Sequence, residues 1–149
     1  MKSLLPPFRP AIALALTFVL TVIASMLWLK ADHVPSAAMR VAQAFVDRLQ
    51  AGKFAQAHEL TVKNNDYVGT TPAEFERIAR RQFCGAIHLV STFPFQSNGN
   101  RLRRWLAGAE VEMPEVRVEF AEGACLFGVS VRHQGAGQWQ VYSFASHAG

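Results

Sequence analysis

Residues 115–144 read EVRVEFAEGACLFGVSVRHQGAGQWQVYSF. Val116, Val118 and Phe120 alternate with Glu115, Arg117 and Glu119, the period of a strand with one buried face. Glu122-Gly123 breaks the run, and Cys125 to His133 alternates again around Phe127, Val129 and Val131. Gln134-Gly135-Ala136-Gly137 breaks it a second time, before Gln138 to Ser146. Gly135-Ala136-Gly137 lies between two strands rather than between a strand and a helix, so it reads as a hairpin turn and not a phosphate loop. Three strands joined by short glycine turns predict an antiparallel meander. In the last strand both parities carry aromatics, Trp139 on one and Tyr142 and Phe144 on the other. Period alone leaves its buried face open. Cover on both sides, by helices and by a second copy of the chain, is one expectation.

Upstream, Ile87, Leu89, Ser91, Phe93 and Phe95 alternate with His88, Val90 and Thr92, which adds a first strand. Ser97-Asn98-Gly99-Asn100 reads as a turn cluster, and RLRRWLAGAEVEMP (101–114) fits a strand or a short helix. Before Gly85 the period is helical. Thr71-Pro72-Ala73-Glu74 is a helix start, with Thr71 as cap, Pro72 in the first turn and Glu74 three residues after the cap. Phe75, Ile78, Ala79 and Phe83 follow as an apolar stripe. Val41, Ala42, Phe45, Val46 and Leu49 mark another helix from Ala37 to Gln50, with Ser36 as its expected cap and Gly52 as its C-terminal stop. Phe54 to Thr61 continues as a short helix ending near Asn64-Asn65. Helices followed by about four strands predict an α+β domain over residues 37–149, with a helical layer on a curved antiparallel sheet.

The remaining segment is AIALALTFVLTVIASMLWLK (11–30). Residues 11–29 hold no charge and no proline, and Thr17, Thr21 and Ser25 can bond back to their own helix. Nineteen residues give a helix of roughly 28 Å, near the ~30 Å hydrocarbon core. A cleaved secretory leader has a shorter apolar run followed by a small-residue cleavage site, whereas this run ends in Trp28, Leu29 and Lys30. The reading is an uncleaved transmembrane signal anchor over 11–29, between a tail (1–10) and a linker (30–36); a cleaved leader is the alternative. Lys2 and Arg9 precede the span, while Lys30 and Asp32 nearly cancel after it. The positive-inside rule then predicts a single pass in a bacterial inner membrane, with the N-terminus cytoplasmic and the C-terminal domain periplasmic.

Charge narrows the partners. The chain is +4, with 15 basic and 11 acidic residues, and two of the basic residues precede the span. The outer domain is thus near neutrality, which argues against nucleic acid. The two cysteines, Cys84 and Cys125, form no C-x-x-C motif and suit one disulfide in an oxidising compartment or two buried thiols. No metal and no cofactor are expected, since the five histidines have no partner histidine one turn away.

AFVDRLQAGKFAQAHEL (44–60), an amphipathic helix ending at a glycine before an aromatic opens a second helix, resembles the helical hairpin of the cystatin-like cone in the nuclear transport factor 2-like superfamily. GQWQVYSF (137–144) is similar to the last strand of such domains. The resemblance spans roughly residues 37–146 and implies helices packed on a curved sheet. It also implies a bitopic arrangement like that of single-span assembly subunits of bacterial secretion systems, with a protein partner of the cell envelope. No catalytic motif comes with it.

Two residue groups carry the functional expectations. Asp66 as base, Tyr67 as hydrogen-bond donor and His88 are candidates to line a ligand pocket of a small-molecule-binding, lyase or isomerase cone. Against this, Asn64-Asn65-Asp66 is ordinary turn chemistry. Arg101, Arg103, Arg104 and Trp105, with Arg80 and Arg81 on the preceding helix, are candidates for a partner or anionic-lipid patch. Glu110, Glu112 and Glu115 are placed to neutralise it. The preferred expectation is a non-enzymatic, membrane-anchored assembly, scaffold or regulatory protein.

Overall fold

The computed structural model describes residues 8–33, 35–135 and 137–148. Lys2 of the basic tail, Val34 of the linker, Ala136 of the last turn and Gly149 lie outside the described residues. The elements in chain order are α1 (Phe8–Lys30), β1 (Asp32–His33), α2 (Ser36–Gln50), α3 (Phe54–Glu59), α4 (Pro72–Gln82), β2 (His88–Phe93), β3 (Gln96–Ser97), α5 (Asn98–Leu106), β4 (Glu115–Glu122), β5 (Cys125–His133) and β6 (Trp139–Ala148). They form two compact units, one of residues up to His33 with Gln96–Val111, the other of Val34–Phe95 with Glu112–Gly149.

In the larger unit, β2, β4, β5 and β6 form an antiparallel sheet in that order. Helices α2, α3 and α4 supply its apolar layer. Phe45 and Val46 of α2, Phe75 of α4, Phe120 of β4 and Phe127 of β5 are fully buried. Phe45 meets Phe75 edge-on at 6.0 Å, Phe75 meets Phe144 at 5.7 Å, and Phe83 meets Phe127 at 5.4 Å. Each such ring contributes roughly 1.5–3 kcal/mol by leaving water, so this cluster fixes the helices on the sheet.

Local chemistry explains the helix ends. Gly52 N–H bonds Leu49 O and Lys53 N–H bonds Arg48 O, a Schellman closure of α2 with Gly52 at φ +67°. Thr71 accepts the Glu74 N–H at 3.2 Å as expected. The Glu74 carboxylate reaches one residue further back than in a capping box, accepting the Thr70 N–H at 3.1 Å and the Thr70 hydroxyl at 2.8 Å. Ser36 is not a cap: it is the first helical residue of α2, and Pro35 stands before it with no side-chain bond.

Three further expectations are corrected. The short helix stops at Glu59, because residues 60–62 turn into an extended segment that pairs with β6. Asn98, Gly99 and Asn100 are not a turn but the first turn of α5, whose cap is Ser97 Oγ accepting the Asn100 N–H at 3.2 Å. The ambiguous 101–114 stretch is helical to Leu106. The aromatics of both parities in β6 have a local cause: Ser130 pairs with Ser143 and Val131 with Val141, so Tyr142 is an extra, bulged residue. The buried face therefore passes from Trp139 and Val141 to Phe144.

Cys84 and Cys125 are joined by a disulfide that ties the segment after α4 to the start of β5, with Cα atoms 6.0 Å apart.

In the smaller unit, α1 is a helix of 23 residues, and Pro10–Lys30 is long and apolar enough to cross a membrane. Thr17 and Thr21 hydroxyls donate to Ala13 O and Thr17 O, which satisfies them within the helix. Directly after α1, β1 pairs with β3 through Asp32–Ser97 and His33–Gln96. This two-stranded ribbon delivers α5 to the C-terminal end of α1.

Candidate functional site

The larger unit has one closed and one open sheet edge. Along β6, Val62 N–H donates to Val141 O at 2.9 Å and Val141 N–H donates to Leu60 O at 2.8 Å. Buried Asn65 donates from Nδ2 to Tyr142 O at 2.5 Å, while its Oδ1 accepts the Tyr67 N–H at 3.1 Å. That edge is therefore covered by the chain itself. At the other edge, no strand pairs with the outer side of β2 among the described residues. Leu89 pairs with Phe120 and Ser91 with Glu119, so Val90 is bulged. Leu89, Val90 and Phe93 are 44%, 60% and 39% exposed, and Phe95 beyond them is 66% exposed, with its ring 4.9 Å from that of Phe93. An open edge carrying four large apolar side chains is a feature that soluble folds usually blunt.

The sheet face opposite the helices is polar and internally paired. Arg132 bonds Glu115 at 2.9 Å and lies over the Tyr142 ring at 3.4 Å; its guanidinium is held further above its ordinary value by the Glu115 bond. Arg117 bonds Glu119 at 3.3 Å and His147 at 2.6 Å, and Ser91 donates to Glu119 at 2.8 Å. Arg117 lies across Gly128, where a Cβ would stand 2.5 Å from its Nη2.

The proposed pocket residues do not converge. Asp66 lines an open cavity of about 240 Å³ with Gly69, Thr70, Glu74, Arg77 and Ile78. Tyr67 is 64% exposed and its ring lies tilted against that of Tyr142 of β6 at 5.4 Å, outside that lining. His88 stands on β2 at the opposite edge of the sheet, exposed, with Nε2 3.1 Å from Glu122. In the cavity, the Thr70 hydroxyl and then the Thr70 N–H bonding to Glu74 hold its carboxyl below the ordinary range.

His58, which the sequence marks only as a helical position, is the buried histidine. Its ring packs on Phe75 at 5.2 Å. Burial, and then the nearby Lys63 charge, push its pKa down, against a hydrogen bond with the Gly69 backbone.

The arginine group is divided between the units. Arg80 in α4 pairs with Glu76 at 2.7 Å and lies 4.4 Å over the Phe54 ring, and Arg81 is exposed beside it. Arg101, Arg103, Arg104 and Trp105 all lie on α5. Arg104 Nε donates to Glu110 O at 2.7 Å, a backbone rather than a carboxylate partner, and Glu115 is paired with Arg132 instead. Trp105 is 64% exposed. Helix α5 closes at Gly108, whose N–H bonds Trp105 O.

What sequence reasoning missed is how α5 is seated. Asn98 N–H donates to Ala31 O at 3.0 Å and its Nδ2 to Trp28 O at 3.1 Å. Gly99 lies so close to α1 that a Cβ would stand 3.0 Å from Leu29 O. The Trp28 carbonyl also takes the Ala31 N–H at 3.2 Å, and both carbonyls lie where a helix end leaves acceptor capacity unused, so Asn98 adds a cap to α1 from a distance. No local signal marks that role. The i, i+3, i+4 spacing of Leu102, Trp105 and Leu106 was present in RLRRWL and would have indicated an amphipathic helix.

Among the described residues, no group of three or more His, Cys, Asp or Glu side chains is placed to hold a metal ion. Comparison with family models, curated proteins and solved structures returned no match.

Proposed function

We propose that this chain is a single-span, membrane-anchored assembly or scaffold protein whose α+β domain docks a protein partner of the bacterial cell envelope along β2. The observation that carries the reading is the contrast between the two sheet edges. The β6 edge is closed by residues 60–62 of the same chain, while the β2 edge is open and presents Leu89, Val90, Phe93 and Phe95. Partner contacts are strongest where large apolar groups leave water together. In this reading α1 remains as the anchor, the N-terminus is cytoplasmic and the domain is periplasmic. A disulfide in the domain is in keeping with that compartment. Three helices packed on a four-stranded antiparallel sheet support a cystatin-like cone.

The test is site-specific photocrosslinking in intact bacteria, with the photoreactive residue at Val90 and, as control, at exposed Gln50 on α2. A discrete adduct from position 90, absent from position 50 and lost with Phe93→Asp, is the expected result. An adduct of twice the chain mass identifies a second copy as the partner and replaces the envelope protein in this reading. No adduct at position 90 in membranes that hold the protein at normal level overturns docking at β2. A C-terminal fusion to a reporter enzyme that is active only after export checks topology separately.

A further inference from the structure

We propose that α5 is an interfacial helix that lies against the membrane beside the end of α1 and binds anionic lipid headgroups. The inference rests on the reading of α1 as a membrane span. Its first support is position. Asn98 is bonded to the carbonyls of Trp28 and Ala31, and Gly99 packs on Leu29. Those carbonyls lie in the last turn of α1 and directly after it, where Trp28 and Lys30 mark the boundary of the apolar run. Whatever is bonded there sits at the depth of the headgroups.

The second support is the chemistry of the helix itself. Leu102, Trp105 and Leu106 form one stripe and are 38%, 64% and 71% exposed. At about 100° per residue, Arg103 borders that stripe on the Leu106 side. Trp28, 56% exposed, adds a second indole from α1, and Lys30 and Arg103 are exposed cations in the same unit. A short helix with Trp and Leu on one face and arginine at its margin lies in the plane of an interface, its ring buried at the acyl boundary and its cations among phosphates. Lipid is the occupant the geometry selects, because the stripe is attached to the segment that is itself apolar enough to enter lipid.

The experiment uses the full chain in vesicles of phosphatidylcholine, with and without phosphatidylglycerol, doped with lipid brominated near the top of its acyl chains. Tryptophan quenching is compared for wild type, Trp105→Phe and Trp28→Phe. The difference between wild type and each variant isolates one indole, and both substitutions fall at exposed positions. The proposal expects a Trp105-dependent part that grows with anionic lipid, and Arg103→Gln to weaken that growth about fivefold. Quenching that depends on Trp28 alone overturns the proposal and leaves the anchor standing, as it would if α5 faced a protein. Quenching that depends on neither indole overturns the anchor as well. Equal Trp105 quenching in both lipids overturns the anionic preference.

Discussion

His58 is a residue whose protonation the fold opposes. Its folded pKa lies below the ordinary 6.5, first because it is buried against Phe75 and then because of Lys63. The unfolded chain therefore binds the proton more readily. The His58 contribution is intact above about pH 6.5 and is lost as pH falls from there through the depressed folded value. Thermal melts followed by circular dichroism from pH 7.5 to pH 5 should show a falling midpoint, and His58→Gln should flatten that slope. Two glycines separate backbone strain from side-chain crowding. Gly69 has φ +92°, and a Cβ there would stand 2.7 Å from Phe75 N, so Gly69→Ala should cost about 2 kcal/mol or more. At Gly128 the obstacle is only the mobile end of Arg117. Gly128→Ala should cost about 1 kcal/mol, the worth of the partly exposed Arg117 contacts it displaces. Urea unfolding of the two variants checks the order.

At the scale of elements, the disulfide closes a loop between residues 41 apart in sequence, which the chain-entropy model values at roughly 3–4 kcal/mol. Cys84→Ser with Cys125→Ser should lower the denaturant midpoint accordingly, and a reductant should have no further effect on that variant. At the α1–α5 junction, Gly99→Val places branched carbon against Leu29 O. It should detach α5 without unfolding the larger unit, seen as faster amide exchange at residues 98–106 alone. Legibility followed the range of the interactions. The strands of 115–146 were readable because each has a repeating local period, and the α4 cap because Thr71 and Glu74 are neighbours. Two bulges were not, since an extra residue at Val90 or Tyr142 is defined only by the partner strand. The start of α5 was misread because Asn98-Gly99 is turn chemistry in isolation and becomes helical where Ser97 caps it. The grouping of Asp66, Tyr67 and His88 failed for the same reason: nothing local says that β2 and β6 are opposite edges.

At the scale of the molecule, the smaller unit is assembled from both sides of a long insertion, residues up to His33 and Gln96–Val111. A fragment of residues 31–149 therefore removes more than α1: it strips α5 of the Trp28 and Leu29 backbone against which it is seated. Such a fragment should keep the larger unit's melt but self-associate through Leu102, Trp105 and Leu106. Sedimentation velocity should show this, with Trp105→Gln reducing it.

The bond from Asn98 to Trp28 O spans 70 positions of sequence. During synthesis α1 emerges first, and its end gains the Asn98 bonds only once the ribosome has added the stretch through residue 98. Formation of the helix and completion of its C-terminal end are thus separate events in time. A chain stalled before residue 98 would hold α1 without the Asn98 bonds at its end, and for that interval any factor that meets the helix would meet a different C-terminal surface.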